Sequence, residues 1–469
     1  MRLPWAQPPP LDVAGLRVAV LGAARSGVGC SRLLTRSGAR VIVGDAMPAE
    51  ALDPQSLEQI SRTGAELRFE VAGLAQLGPV DLLVISPGVP INAPLLEQAR
   101  AAGVRITGEV ELGYRFSRAP IIAIAGTNAK GSTCTLTGAM LNCSGVRARV
   151  CGNIGDPFTG AIAEEEPPKV YVLEISSFQL ETIEHFRPSV ACLLNISNDH
   201  LDRHGSLEAY IAAKDRLFEN QAADDWAVVN ADDPNVARAA EGASARRIRF
   251  SATQPGVEAR VEGDRLLVDL GDGPEPVCQK GDLVRWGAPY IETVLAAASA
   301  ALVAGARHEG LLEAIRTHRL PPEVLEFVGE ARGVRFVNSS KATNPAAAIA
   351  DIDSVPGPLV VIAGGLERGS DFTEFGEVLR RRAKAAFLLG QCAERIAEAA
   401  AGVECTRCST LEEAVHGAFA AAAPGDTVLL APACASWDMF KDYKVRGAQF
   451  REAARRVCDH DDRGIPDGG

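Results

Sequence analysis

At 469 residues the chain is too long for a single hydrophobic core, and its length implies about three domains. Its 47% hydrophobic and 23% charged content is that of an ordinary soluble globular protein. A formal net charge of −12 excludes a general nucleic-acid or anionic-membrane partner, so any anionic ligand must be held by local cations and helix N-termini.

The segment Met1 to Pro10 is proline-rich and lacks the apolar core of a signal peptide. No apolar run approaches the ~20 residues needed to span a membrane. Eleven scattered cysteines, many inside apolar segments, point to a reduced, cytoplasmic protein. The lone pair Cys405 and Cys408 has no second pair to complete a zinc site.

The first unit opens with a strand at Leu16 to Leu21, then the turn Gly22-Ala23-Ala24-Arg25-Ser26-Gly27, a helix through Leu34, and a strand Val41 to Val43 ending at Asp45. This is a βαβ unit whose glycine fingerprint has Ala24 in place of its middle glycine. A dinucleotide, a single nucleotide or merely a tight turn fits it equally. A further strand, Asp81 to Ile85, runs into Ser86-Pro87-Gly88, at the edge where ligands of open α/β sheets bind. Val104 to Thr107 adds another strand, and the unit closes near Glu111.

The second unit begins with the apolar strand from Ile121, the turn Gly126-Thr127-Asn128-Ala129, then Lys130-Gly131-Ser132 and a helix through Leu141. Turn N–H groups and a helix N-terminus facing an anion, with a lysine for the outer phosphates, form a phosphate cradle. Ala129 stands where such loops carry glycine, and Gly131 where they carry a metal-binding hydroxyl. The strand Val170 to Ile175 is apolar except for Glu174, which suits a magnesium ligand beside a triphosphate, or an acid held by the following turn. A third strand, Val190 to Ile196, leads into Asn198-Asp199-His200-Leu201-Asp202-Arg203-His204, a second potential donor set or a solvated loop. Lys214 lies on an alanine-rich helix, where the residue pattern favours a solvent-facing ammonium. Residues 246 to 286 alternate short polar strands with glycine turns and predict a small antiparallel sheet. Leu295 to Ala304 is a packing helix.

The third unit starts near Leu320-Pro321-Pro322. Four strands (Val334 to Val337, Leu359 to Ile362, Ala386 to Leu389, Thr427 to Leu430) each end in a small or polar loop and predict a second doubly wound sheet. The acidic tail from Asp459 is expected to be disordered. Domains are therefore expected at 1–110, 111–319 and 320–469.

Together these motifs resemble the Mur ligases, in particular their D-glutamate-adding branch. The carriers are Gly126 to Lys130, Gly152-Asn153-Ile154-Gly155, Leu173 to Glu181, Asn198 to Arg203, Ala213-Lys214, Ser340-Lys341-Ala342-Thr343-Asn344, and Pro432 to Ser436 with Phe440-Lys441. They follow the family's order and spacing across nearly the whole chain.

The resemblance implies three α/β domains: a Rossmann-like N-terminal domain for the uridine nucleotide sugar, a central P-loop-type ATPase domain, and a Rossmann-like C-terminal domain for glutamate. It implies that ATP phosphorylates the carboxylate of UDP-N-acetylmuramoyl-L-alanine and that glutamate's amine attacks the acyl phosphate, in a monomer. Lys130 would neutralise the transferring phosphoryl group within an ATP loop of Gly126, Thr127, Asn128, Ala129, Lys130, Gly131 and Ser132. Glu174, His200 and a carbamylated Lys214 would hold Mg2+. Ser26, Asp45, Ser86, Pro87, Gly88 and Asn153 would contact the nucleotide substrate; Thr343, Arg368, Ser436 and Phe440 would hold glutamate.

The chain departs from the family pattern at several points. Ser339 replaces an acid, Val324 lies where a histidine–arginine pair is expected, and the asparagines expected near Tyr290 and Thr293 are absent. Arg368 stands for a lysine. Gly131-Ser132 resembles the loop of folylpolyglutamate synthase, an enzyme without the first unit seen here. The competing readings are an L-glutamate-specific ligase, a catalytically impaired nucleotide-sugar-binding homologue, and an NAD-dependent Rossmann enzyme, which leaves the second and third units unexplained.

Overall fold

The computed structural model describes residues 3, 5, 7–164, 166–283, 288–318 and 322–462. Leu320 and Pro321, at the expected start of the third unit, and the tail beyond 462 lie outside the described residues. The chain forms two compact units, Met1–Val284 with Ile291–His318, and Arg285–Tyr290 with Arg319–Gly469. Three sheets organise them, two in the first unit and one in the second.

The first sheet holds β1 (Arg17–Leu21), β2 (Arg40–Gly44), β3 (Glu66–Arg68), β4 (Leu82–Ile85) and β5 (Arg105–Gly108), in the order β3-β2-β1-β4-β5 and parallel throughout. Buried runs such as Val18-Ala19-Val20 explain why its central strands are continuously apolar: helices cover both faces. Strand order reverses between β1 and β4, which puts a crevice at the carboxyl ends of these two strands.

The second sheet comprises β6 (Ile121–Ala125), β7 (Ala148–Gly152), β8 (Val170–Glu174), β9 (Val190–Leu193), β10 (Trp226–Asn230), β11 (Arg246–Phe250), β12 (Ala259–Glu262), β13 (Arg265–Asp269) and β14 (Pro274–Gln279). Its order is β14-β13-β12-β11-β10-β9-β6-β8-β7. The small antiparallel sheet expected over 246–286 is met in part. β12, β13 and β14 do pair antiparallel, but β11 joins β10 in parallel and makes the whole an extension of the central sheet. Ile248 and Phe250, both about 1% exposed, supply the apolar face that ties β11 inward. The helix Ala288–Val303 starts earlier than expected, and its stretch from Val294 to Ala301 is fully buried.

The third sheet contains β15 (Glu326–Ala331), β16 (Val334–Asn338), β17 (Leu359–Gly364), β18 (Ala383–Leu389), β19 (Glu404–Arg407) and β20 (Thr427–Leu430), in the order β15-β16-β20-β17-β18-β19. Four strands were expected and six are present among the described residues. The additional ones are β15, an antiparallel edge strand, and β19 at the other edge. The expected acidic tail is partly helical, since the helix Tyr443–Asp462 includes Asp459 to Asp462.

Candidate active site

The carboxyl edge of the second sheet collects the phosphate loop and two of its expected companions. β6 ends at Ala125, the loop turns through Gly126 to Ala129, and the helix Lys130–Cys143 begins with no side chain capping its N-terminus. Ala129 adopts φ +62°, the left-handed conformation that glycine fills in related loops. Asn195, at the end of the neighbouring strand, fixes the loop. Its carbonyl accepts the Thr127 N–H at 2.8 Å and its Oδ1 accepts the Asn128 N–H at 2.7 Å. The Lys130 ammonium folds back, donating to the carbonyls of Gly126 at 2.8 Å and Thr127 at 2.7 Å. Gly131 and Ser132 are buried in the first turn.

Glu174 ends β8, paired in register with Ile124 of β6, and is 7% exposed. Asn153 donates its Nδ2 to Glu174 Oε1 at 2.7 Å and its N–H to the Glu174 carbonyl at 2.9 Å. The approach depends on Gly152 (φ +104°), where a Cβ would lie 2.4 Å from the Glu174 carbonyl oxygen.

Lys214 corrects the solvent-facing reading: it is 1% exposed. Its Nζ donates to the Gly126 carbonyl at 3.0 Å and lies 4.5 Å above the Tyr210 ring, whose hydroxyl is 3.2 Å from Thr127 Oγ1. Burial first, and then the neighbouring Lys130 charge, push the Lys214 ammonium well below its ordinary pKa. The helical pattern could not reveal this, because Lys214 sits between two alanines that fit either face and the charged Asp215 and Arg216.

His200 has φ +52° and a side chain 37% exposed, with Nε2 3.6 Å from Asp199 Oδ2 and its ring edge-on to Phe178 at 4.9 Å. His204, the second histidine of that potential donor set, is half-buried, with Nε2 3.0 Å from Ser177 Oγ and Nδ1 3.6 Å from Glu181 Oε1. Burial holds its pKa down. Among the described residues no three of His, Cys, Asp and Glu are grouped to hold a metal. A carbamate is outside that set, and the oxygen donor of Glu174, oriented by Asn153, is of the kind Mg2+ prefers.

At the crevice of the first sheet, Ser26 lies in the first turn of the helix Arg25–Arg36, Asp45 follows β2 and Ser86 follows β4. Asp45 Oδ2 accepts the Ala23 N–H and Oδ1 the Met47 N–H, each at 2.9 Å, so this acid shapes the turn itself. Ala24 is extended, φ −86°, and needs no glycine. Ser86 Oγ is buried without a hydrogen-bond partner among the described residues; Pro87 is half-buried and Gly88 exposed.

In the second unit, Thr343 follows β16, Arg368 follows β17 and Ser436 follows β20, all at the carboxyl edge of the third sheet. The Arg368 guanidinium is exposed and 5.1 Å above the Trp437 ring. Ser436 is buried and its carbonyl accepts the Phe440 N–H at 2.8 Å, while the Phe440 ring packs against the core. Leu366 and Ala435 form a bridge that ties two of these loops. Ser339, where an acid was expected, donates to Asp351 Oδ2 at 2.5 Å, so a carboxylate reaches this position from the following helix.

Sequence reasoning missed Arg446, 1% exposed. It donates to Ser340 Oγ at 3.0 Å, the Ser340 carbonyl at 2.8 Å and the Cys434 carbonyl at 3.0 Å. Burial pushes its pKa down to about 10. An arginine on a charged helix carries no sequence signal of such a role.

A phosphate loop, a buried carboxylate and a buried lysine on one sheet edge, with further α/β sheets before and after, define a multidomain phosphate-handling enzyme. Residues 16–108 match the Mur ligase MurD-like N-terminal domain, 124–266 the Mur ligase middle domain, and 325–434 the Mur ligase glutamate ligase domain. The chain belongs to the Mur ligase family. It is 43% identical to the UDP-N-acetylmuramoylalanine–D-glutamate ligase of Pelotomaculum thermopropionicum, over 94% of this chain and 98% of that one. The protein of the same name from Acidobacterium capsulatum is 41% identical, over 94% and 96%. Among solved structures, a pseudomurein peptide ligase type C from Methanothermus fervidus superposes with a TM-score of 0.63 at 18% identity, covering 94% of this chain and all of that one. MurF from Acinetobacter baumannii gives 0.62 at 17%, covering 93% of each. These two likenesses concern the fold alone.

Proposed function

We propose that the protein joins D-glutamate to UDP-N-acetylmuramoyl-L-alanine at the expense of ATP, releasing ADP and phosphate, in peptidoglycan precursor synthesis. The observation that carries this reading is the buried Lys214 against the phosphate loop, in a chain 43% identical to a ligase of that name. The first domain, 1–110, would bind the uridine nucleotide, with Ser26, Asp45 and Ser86 to Gly88 at its crevice. The second, 111–319, would bind ATP, and the third, 320–469, would bind glutamate through Thr343, Arg368, Ser436 and Phe440.

The substrate carboxylate attacks the γ-phosphorus of ATP and ADP leaves. The amine of glutamate then attacks the acyl carbon, phosphate departs, and the amine loses a proton. Phosphorylation is needed because an oxide ion is a poor leaving group and phosphate a good one. Lys130 would swing from its loop carbonyls onto the transferring phosphoryl group and offset charge that develops there. Asn153 would orient the Glu174 carboxylate while contacting the substrate. The neutral amine of Lys214 can add to carbon dioxide: an N–C bond forms, one C=O pair becomes a carboxylate, and a proton is lost. Burial favours that neutral amine, and the product supplies an anion where a lysine cation would repel metal. Glu174, His200 and this carbamate would hold Mg2+, which when bound neutralises phosphate charge.

Phosphate release from ATP, measured with UDP-N-acetylmuramoyl-L-alanine and each glutamate enantiomer, tests the reading. Release with D-glutamate alone is expected; release only with L-glutamate, or none, overturns it. Lys130→Ala should lower the rate by at least a hundredfold, about 2.7 kcal/mol of barrier. Lys214→Ala should be nearly inactive and partly rescued by acetate, and a fully active Lys214→Arg would sink the carbamate.

A further inference from the structure

Within the first unit, the helix Arg25–Arg36 packs directly on the short helix Phe158–Ile162, and one face of it does so. A Cβ at Gly29 would come 2.6 Å from Thr159 Oγ1, and Cys30 Sγ lies 3.7 Å from that hydroxyl. Arg36 donates to the Ala163 carbonyl. Arg25 precedes Gly29 by four residues and so shares its face. Its Nη1 donates to the Gly155 carbonyl at 2.7 Å and its Nη2 to the Asn153 carbonyl at 3.3 Å.

The turn that Arg25 grips is the one that places Asn153. That turn starts at Gly152, whose N–H donates to the Asp156 carbonyl at 2.7 Å. From it Asn153 makes two hydrogen bonds to Glu174, one to the carbonyl at 2.9 Å and one to Oε1 at 2.7 Å. A continuous path of hydrogen bonds therefore runs from the glycine turn of the first sheet to the carboxylate beside the phosphate loop.

We infer that Arg25 is a positioning residue for the Glu174 carboxylate, acting through the 153–155 turn and the Asn153 amide. A planar guanidinium holds two carbonyls in a fixed fork, whereas an ammonium is a point charge on a flexible stem and fixes neither carbonyl's direction. The inference rests on the ligase reading, because that reading makes Glu174 a cation-facing group. Partners that orient a ligating carboxylate are worth about 10- to 100-fold in metal affinity, and a residue one step further out belongs at the lower end.

The test uses the full chain with a non-hydrolysable ATP analogue and Mn2+ as probe, free Mn2+ being read by electron paramagnetic resonance. Arg25→Ala should weaken Mn2+ binding about tenfold and raise the Mg2+ concentration for half-maximal activity in parallel, leaving the glutamate KM unchanged. Arg25→Lys should fall between it and the parent. In an Asn153→Ala background, Arg25→Ala should add less than about twofold, because the link is already cut. Mn2+ affinity within twofold of the parent, or equal losses in both backgrounds, would overturn the proposal. A parent protein that releases no phosphate from ATP would overturn the ligase reading and leave the Mn2+ comparison readable.

Discussion

Ala129 shows how one residue carries a local cost. An L-residue at φ +62° costs about 1–2 kcal/mol relative to a right-handed conformation, whereas glycine pays no such steric penalty. Ala129→Gly should therefore stabilise the protein, by up to about 1 kcal/mol after the extra unfolded-state entropy of glycine. The denaturant midpoint measures it, and an unchanged or lowered midpoint would show the loop unstrained. Glu292 carries a different cost. Burial, then the nearby Asp232, raise its pKa to about 7, opposed by the Asn230 amide at 3.4 Å. The folded state thus binds a proton that the unfolded state has released between about pH 4.5 and 7. Stability from this group is complete below that window and is lost as pH rises through it. Glu292→Gln should match the parent at pH 4 and exceed it at pH 8. A constant difference across that range would remove Glu292 from the account.

Among the elements, the strand–loop–helix of the phosphate loop was legible because a fully apolar strand, small turn residues and a lysine must occur in sequence for that geometry. The missed strands share a cause. Glu66–Arg68, Ala148–Gly152, Glu326–Ala331 and Glu404–Arg407 all lie at sheet edges and are largely half-buried or exposed, so they carry no apolar run. The loops after β16 and β20 depend on Arg446, which reaches them from the last helix. Arg446→Ala would leave the Ser340 and Cys434 carbonyls and the Ser340 hydroxyl without these donors, for a cost of about 2–4 kcal/mol. Equilibrium unfolding and the glutamate KM should both respond; a stable variant with an altered KM alone would mean that the loops hold without it.

At the scale of the molecule, each unit has its own cores, on the first and central sheets in the first and on both faces of the third sheet in the second. Calorimetry should therefore show more than one transition. UDP-N-acetylmuramoyl-L-alanine at about a hundred times its Kd should raise the first unit's transition by the equivalent of about 2.7 kcal/mol, and D-glutamate the second unit's. A single transition raised by either ligand would contradict the assignment of separate domain roles.

By itself the sequence determined the three α/β sheets, the phosphate loop and the strand ends where functional residues gather. Those features follow from apolar periodicity and from small or polar residues at strand termini, which are local properties of the chain. Its order of motifs also pointed to the family. Tertiary structure decided which polar residues are withdrawn from water. Lys214 reads as a surface cation on a helix and Arg446 carries no sequence signal, and only the packing of distant segments removes solvent from them and supplies the carbonyls of Gly126, Ser340 and Cys434 as partners. Asp351 beside Ser339, and Arg25 on the turn of Asn153, are likewise contacts between segments 12 and 128 residues apart. Such pairings depend on where the chain returns in space, which local pattern does not encode.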